Sequence, residues 1–242
     1  DLGVGSGDPC LKIFTKIRDQ IEKIVLVDVS REMLRIASEN ILRSRDVALK
    51  TIHADFLEQA NELREALPAN RRKIYLCLGC TAGNYEQDYA LPRLQSLLRN
   101  SDRLLLGLGL LPKSNVNQHL YNLKRKYSSQ DNAASGLAWL TEYSVDPPNL
   151  EPDLRKVTAT VDDEGVNGTK VIRVSYEFPE KTRLRVGRQE ILFEKGEKVQ
   201  FIETRRFNPE AVVEHILDHG FQLMACVNLG DHGLYLCKRG EE

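Results

Sequence analysis

Asp1-Leu2-Gly3-Val4-Gly5-Ser6-Gly7-Asp8 opens the chain, with three glycines at alternate positions. Glycine lets a backbone turn sharply and approach a ligand closely where a strand passes into a helix. Such a turn follows an apolar strand, so the reading expects further chain ahead of Asp1. Downstream the pattern keeps alternating. Pro9 to Glu22 predicts a helix with Leu11, Phe14, Ile17 and Ile21 on one face. Ile24 to Val27 is a short apolar, mainly β-branched run that closes at Asp28. Ser30 is placed to cap a helix striped by Met33, Leu34, Ala37 and Ile41. Ala48 to Ile52 predicts a third strand closing at Asp55. A helix over Gln59 to Leu67 stops at Pro68. Ile74 to Leu78 ends at Gly79, Tyr89 to Leu98 is helical, and Arg103 to Leu108 is a strand. Near-continuous apolar strands alternating with helices predict an α/β fold with a doubly wound, mostly parallel sheet.

The pattern changes after residue 113. Val116 to Tyr127 predicts a helix, and Pro147, Pro148 and Pro152 mark a break. Strands follow at Arg155–Val161, Thr169–Phe178, Thr182–Val186, Gln189–Glu194 and Lys198–Phe207. Gly165, Gly168, Gly187 and Gly196 punctuate them as hairpin turns. The expected organisation is a ligand-binding domain over 1–113 and 207–242, interrupted by an α+β insertion over 114–206. Pro209 to His219, with Gly220 as its stop, predicts the last helix. Phe221–Leu229 and Gly233–Lys238 form a terminal hairpin on the main sheet.

Charge narrows the function. Lys and Arg total 34 against 35 Asp and Glu, so there is no basic footprint for nucleic acid and no polybasic membrane signal. The longest apolar run, Leu104 to Leu111, is far too short to span a bilayer. The expected partner is a small molecule, and the expected compartment the reducing cytoplasm. Cys77 and Cys80 form a C-x-x-C at a strand end, but no second Cys/His pair at metal-ligand spacing is read beside them, so no metal is expected. His215 and His219 are read as surface or partly buried helix residues, and Trp139 as core.

The glycine turn stops short of the nicotinamide fingerprint G-x-G-x-x-G, because Asp8 stands where the third glycine belongs. An acid there repels a pyrophosphate at the helix N-terminus. A nicotinamide-dependent oxidoreductase is the alternative that this disfavours. A binding module that keeps the fold without catalysis is a second. What remains, acid-x-Gly-x-Gly-x-Gly, resembles the first motif of class I S-adenosylmethionine-dependent methyltransferases. The string Val27-Asp28-Val29-Ser30-Arg31-Glu32-Met33-Leu34 resembles their second segment, and His53-Ala54-Asp55-Phe56 their third. The resemblance implies S-adenosylmethionine as donor and S-adenosylhomocysteine as product. Gly3, Gly5, Gly7 and Val29 would line the site, with Asp1 near the donor's ammonium end. Asp28 would grip both ribose hydroxyls, Asp55 would accept from the adenine amino group, and the Phe56 N–H would serve a ring nitrogen. Three acids ending successive parallel strands suit a ligand at the carboxyl edge of an open sheet. As an acid facing a crevice, Asp28 is expected to matter little for stability.

Leu78-Gly79-Cys80-Thr81-Ala82-Gly83-Asn84 narrows the likeness. It lacks the Asp/Asn-Pro-Pro-aromatic motif of DNA-base methylation. It resembles instead the histidine-specific Nα-methyltransferases of the ergothioneine pathway. There Asn84 would bind an amino acid or small amine, with Gly79 beside donor and acceptor. Both act by positioning, and no catalytic acid or base is implied. Tyr121, beside Asn122, resembles a tyrosine that contacts the substrate carboxylate. Val199-Gln200-Phe201-Ile202-Glu203-Thr204-Arg205-Arg206-Phe207 resembles the closing segment of the insertion, with Thr204 in place of a serine hydroxyl. The family's imidazole-gripping glutamate falls on Ile202, and Glu203 is one step away, on the opposite face of a regular strand. Histidine is therefore expected to be a poor substrate.

Overall fold

The computed structural model describes residues 1–44, 47–164 and 168–240. The chain divides into two compact units, Asp1–Leu110 with Phe207–Glu242, and Leu111–Arg206.

In the first unit, α1 (Asp8–Lys16) begins on Gly7 with Pro9 in its first turn, where a missing N–H costs nothing. The helix ends at Lys16, and Arg18–Gln20 is a separate 3₁₀ turn, so the expected helix to Glu22 is shorter. β1 (Lys23–Asp28) leads into α2 (Arg31–Ser44), capped as expected by Ser30, whose Oγ accepts the Met33 N–H at 3.2 Å. β2 (Ala48–His53) pairs in parallel with β1. α3 (Ala60–Ala66) ends because Leu67, before Pro68, takes an extended conformation. β3 (Ile74–Cys77), α4 (Gln87–Leu97) and β4 (Arg103–Gly109) complete this stretch, with β3 parallel to β4.

The second unit holds α5 (Val116–Tyr127), then α6 (Gln130–Tyr143), a helix the sequence pattern did not reveal. β5 (Ser144–Asp146), β6 (Val157–Asp163), β7 (Lys170–Glu177), β8 (Thr182–Val186), β9 (Gln189–Phe193) and β10 (Lys198–Arg206) form two antiparallel sheets, β10-β7-β6 and β5-β8-β9. Gly187 and Gly196 turn the hairpins with positive φ, as does Gly168; Gly165 lies outside the described residues. Leu137, Leu140, Tyr176, Phe178 and Leu184 form one core, with Trp139 packed against it. Leu111, Leu120, Leu123 and Ile172 form another. The β10–β7 register slips between Gln200 and Ile202.

The chain then returns to the first unit. α7 (Val212–Asp218) starts three residues later than Pro209, and Gly220 follows its cap with φ +75°. β11 (Phe221–Leu229) and β12 (His232–Arg239) form a hairpin, and β12 lies antiparallel to β4. Leu2 joins the halves of the sheet: it bridges Val27 in parallel and donates its N–H to Leu76 O at 2.8 Å. The order across the sheet is thus β2, β1, residues 1–2, β3, β4, β12, β11. Cys10, Phe14, Leu34, Ala37 and Ile41 of α1 and α2 pack on Ile24, Leu26, Leu76 and Leu78. Residues of α3, α4 and α7, among them Leu63, Leu94 and Ile216, pack on Val27, Tyr75, Cys77 and Leu106. Alternate residues of each strand therefore feed opposite helical layers, which is the doubly wound architecture. Among the described residues no helix is long and apolar enough to cross a membrane.

Candidate active site

The switch between helices on one face and on the other falls at residues 1–2, the place where open α/β sheets bind ligands. Gly3, Gly5 and Gly7 all have positive φ, +64°, +52° and +82°. Their surroundings differ. A Cβ on Gly3 would stand 2.7 Å from Thr81 Cγ2, which locks this turn against the loop after β3. A Cβ on Gly7 would stand 3.2 Å from Ala37 Cβ, so Gly7 lets α2 close in. A Cβ on Gly5 would meet nothing within 4 Å, and the same holds at Gly79. The cradle is therefore open at the two glycines where a donor would lie.

Asp1 is half-buried, and its carbonyl accepts the Val27 N–H. Asp28 Oδ2 accepts from Gly5 N–H at 3.1 Å and Oδ1 from Ser30 N–H at 2.9 Å. Each oxygen keeps a second lone pair for another donor. Asp28 is only 8% exposed. It thus ties the glycine turn to the start of α2, and the expectation that it matters little for stability is corrected. Val29 is 60% exposed beside it, and its carbonyl meets His53 Nε2 at 2.8 Å. Asp55 Oδ1 accepts from Leu57 and Glu58 N–H, a local turn that fixes the carboxylate past the end of β2. Phe56 is buried, and its ring edge meets Tyr85.

After β3 the backbone makes two consecutive left-handed steps, Gly79 at φ +65° and Cys80 at φ +64°. A cysteine in that region is strained, as residues near functional sites often are. Thr81–Asn84 is a 3₁₀ turn that leaves Asn84 exposed. Two residues beside this loop, Tyr85 and the first residue of α4, escaped the sequence reading. Buried Gln87 donates its side-chain amide to the carbonyls of Ala82 and Tyr85, bracketing Asn84. Tyr85 has its phenol pushed up, first by burial and then by the nearby carboxylate of Asp55, with Asp28 contributing less. An aromatic immediately after the loop asparagine was the available signal for Tyr85. For Gln87 there was none, because its burial depends on packing.

In the second unit Tyr121 is 54% exposed on α5, with the Arg125 guanidinium over its ring. Thr204 is 2% exposed, and its hydroxyl accepts from Arg206 Nη1 at 3.1 Å. Glu203 accepts from Arg173 Nε at 2.9 Å and Gln200 Nε2 at 3.0 Å, and pairs with Arg205 at 2.7 Å. Burial raises its carboxyl, but the hydrogen bonds of Gln200 and Arg173 and the charge of Arg205 outweigh this and hold it below the usual range. Cys77 and Cys80 are not joined in a disulfide, and burial pushes Cys77 up to about 12, which keeps it protonated and unreactive.

Comparison with known proteins agrees with this geometry. No curated protein matches the chain. The structure of LepI in complex with SAM matches at 11% identity, over 99% of this chain and 42% of that one, with a TM-score of 0.50. An S-adenosylmethionine-dependent methyltransferase from Clostridium acetobutylicum matches at 14% identity, over 100% and 83%, with a TM-score of 0.49. One from Methanosarcina mazei matches at 13% identity, over 100% and 92%, with a TM-score of 0.46. At 11% identity the LepI match speaks to the fold alone, and the two with TM-scores below 0.5 carry no argument. The family assignment comes from the sequence model of histidine-specific, SAM-dependent methyltransferases, which matches residues 1–238. With the glycine cradle and the strand-end acids in place beneath that match, the chain belongs to the histidine-specific, S-adenosylmethionine-dependent methyltransferase family.

Proposed function

We propose that this methyltransferase acts on the α-amino group of a small amino acid or amine less polar than histidine. The observation that carries the reading is the state of Glu203. Its carboxylate is already taken by Gln200, Arg173 and Arg205, and Ile202 stands where the family's imidazole grip falls. A buried imidazole N–H without an acceptor costs about 1–3 kcal/mol, roughly 5- to 150-fold in affinity.

Bound S-adenosylmethionine supplies a methyl group already activated on sulfur. The protein's own task is alignment. In this reading Asp28 accepts from the ribose hydroxyls with its two remaining lone pairs. Asp55 and the Phe56 N–H serve the adenine, Val29 covers it, and Asp1 faces the ammonium end. Gly3, Gly5, Gly7 and Gly79 give room. Asn84 binds the acceptor, and Tyr121 is the second unit's own candidate contact for a substrate carboxylate. Thr204 and Glu203, held in their own hydrogen bonds, brace the acceptor-binding unit. An α-amino group with a pKa of about 8 is partly neutral at physiological pH, so it can attack without a strong base. The test is a panel of amino acids and amines with an isotope-labelled methyl donor. Histidine should be turned over at least about tenfold less efficiently than the best apolar amino acid. Selective methylation of histidine would overturn the reading.

A further inference from the structure

His215 and His219 lie four residues apart at the end of α7, on one face, and Asp88 stands opposite them in the first turn of α4. One ligand atom from each falls within 4.8 Å of the other two. The two rings meet edge to face at 4.5 Å.

The surroundings of His219 are those of a metal ligand. Its Nδ1 lies 2.8 Å from the His215 carbonyl oxygen, so Nδ1 carries a proton. Its Nε2 lies 3.1 Å from Asp88 Oδ1. A neutral ring would then set a lone pair against a carboxylate. A metal ion between Nε2 and the carboxylate satisfies both at once. Two ligands held about 2.0–2.2 Å from a tetrahedral zinc stand about 3.3–3.6 Å apart, close to the 3.1 Å between His219 Nε2 and Asp88 Oδ1. The backbone carbonyl that fixes Nδ1–H is the usual outer partner of a metal-bound histidine. His215 supplies a second imidazole at the spacing that puts two ligands on one helix face, and the negative end of α7 favours a positive charge there.

We propose that Asp88, His215 and His219 bind a divalent transition ion of the zinc class, linking α4 to α7. Two imidazoles and one carboxylate suit zinc or nickel rather than the all-oxygen preference of magnesium or calcium. The site has no part in methyl transfer. It would hold the helix that starts three residues after Asn84.

The experiment is calorimetric titration of zinc into chelator-stripped protein carrying Cys226→Ser, which removes the exposed thiol. One ion per chain should bind. His215→Gln, His219→Gln and Asp88→Asn should each weaken it at least tenfold. Asp88 is 87% exposed, so its replacement leaves the core untouched. His232→Gln, at a lone His–Asp pair elsewhere, should change nothing. Zinc should also raise the melting temperature of the parent but not of His219→Gln. Absence of uptake, or uptake unchanged in all three ligand variants, would overturn the proposal and leave a plain His219–Asp88 hydrogen bond.

Discussion

Asp28 does two jobs with one carboxylate, and they can be separated. Its hydrogen bonds to Gly5 and Ser30 hold the turn, while the remaining lone pairs are free for the ribose. Asp28→Ala should lower affinity for S-adenosylhomocysteine by about 2–4 kcal/mol, for two charge-assisted bonds. It should also cost about 1–3 kcal/mol in urea unfolding, for two stranded N–H groups. Parent-like affinity by calorimetry would exclude the ribose role whatever happens to stability. Asn84 gives the opposite profile. It is exposed at the end of its turn, so Asn84→Ala should leave stability within about 0.5 kcal/mol and donor binding intact. Turnover should fall at least a hundredfold.

Elements carry the next set of consequences. The loop between β3 and α4 depends on Gln87, a residue of α4 itself. Gln87→Leu keeps the volume but leaves two carbonyls without their donor, at a cost of about 1–3 kcal/mol. The expected kinetic signature is a lower kcat with an unchanged donor KM, because Asn84 loses its bracket while the glycine cradle does not. On β10 the buried Arg205 pairs with Glu203 and Glu164. Arg205→Met would leave those acids facing each other and should destabilise by about 3–5 kcal/mol. The pH dependence has a defined sign. Glu203 is held below its ordinary value of 4.5, so its contribution is complete above that pH. It is lost as the pH falls through the lower folded value. Burial lowers the Arg205 guanidinium, but Glu164 and Glu203 outweigh this and hold it above its ordinary value. Its charge therefore persists across the working range. Acid unfolding of the parent should show this loss below pH 4.5, and the Arg205→Met variant should show less of it, because Gln200 and Arg173 still bind Glu203.

For the molecule as a whole, S-adenosylhomocysteine at a hundred times its Kd should stabilise the chain by about 2.7 kcal/mol, read as a rise in melting temperature. Much of this was legible from residues alone. The β-branched and apolar runs ending at Asp28, Asp55 and Gly79 predicted strands whose ends form one edge, because a parallel sheet buries both faces and leaves its ends polar. What stayed hidden depended on contacts between distant segments. α6 has no clean apolar stripe: its Gly136 is chosen to fit under the ring of Phe201, which a Cβ would meet at 2.6 Å. The slip at Phe201 in β10 likewise follows from pairing with β7, not from propensity. His215 and His219 were read one at a time, and only the fold brought Asp88 to them. One contact described above also sets a limit on how the family can vary. Gly7 and Ala37 touch across the gap between the cradle and α2, so the width of that gap is gauged by a side chain that never meets the ligand. Ala37→Val would push the turn outward and weaken donor binding from behind. Positions 7 and 37 should therefore change together or not at all among related chains.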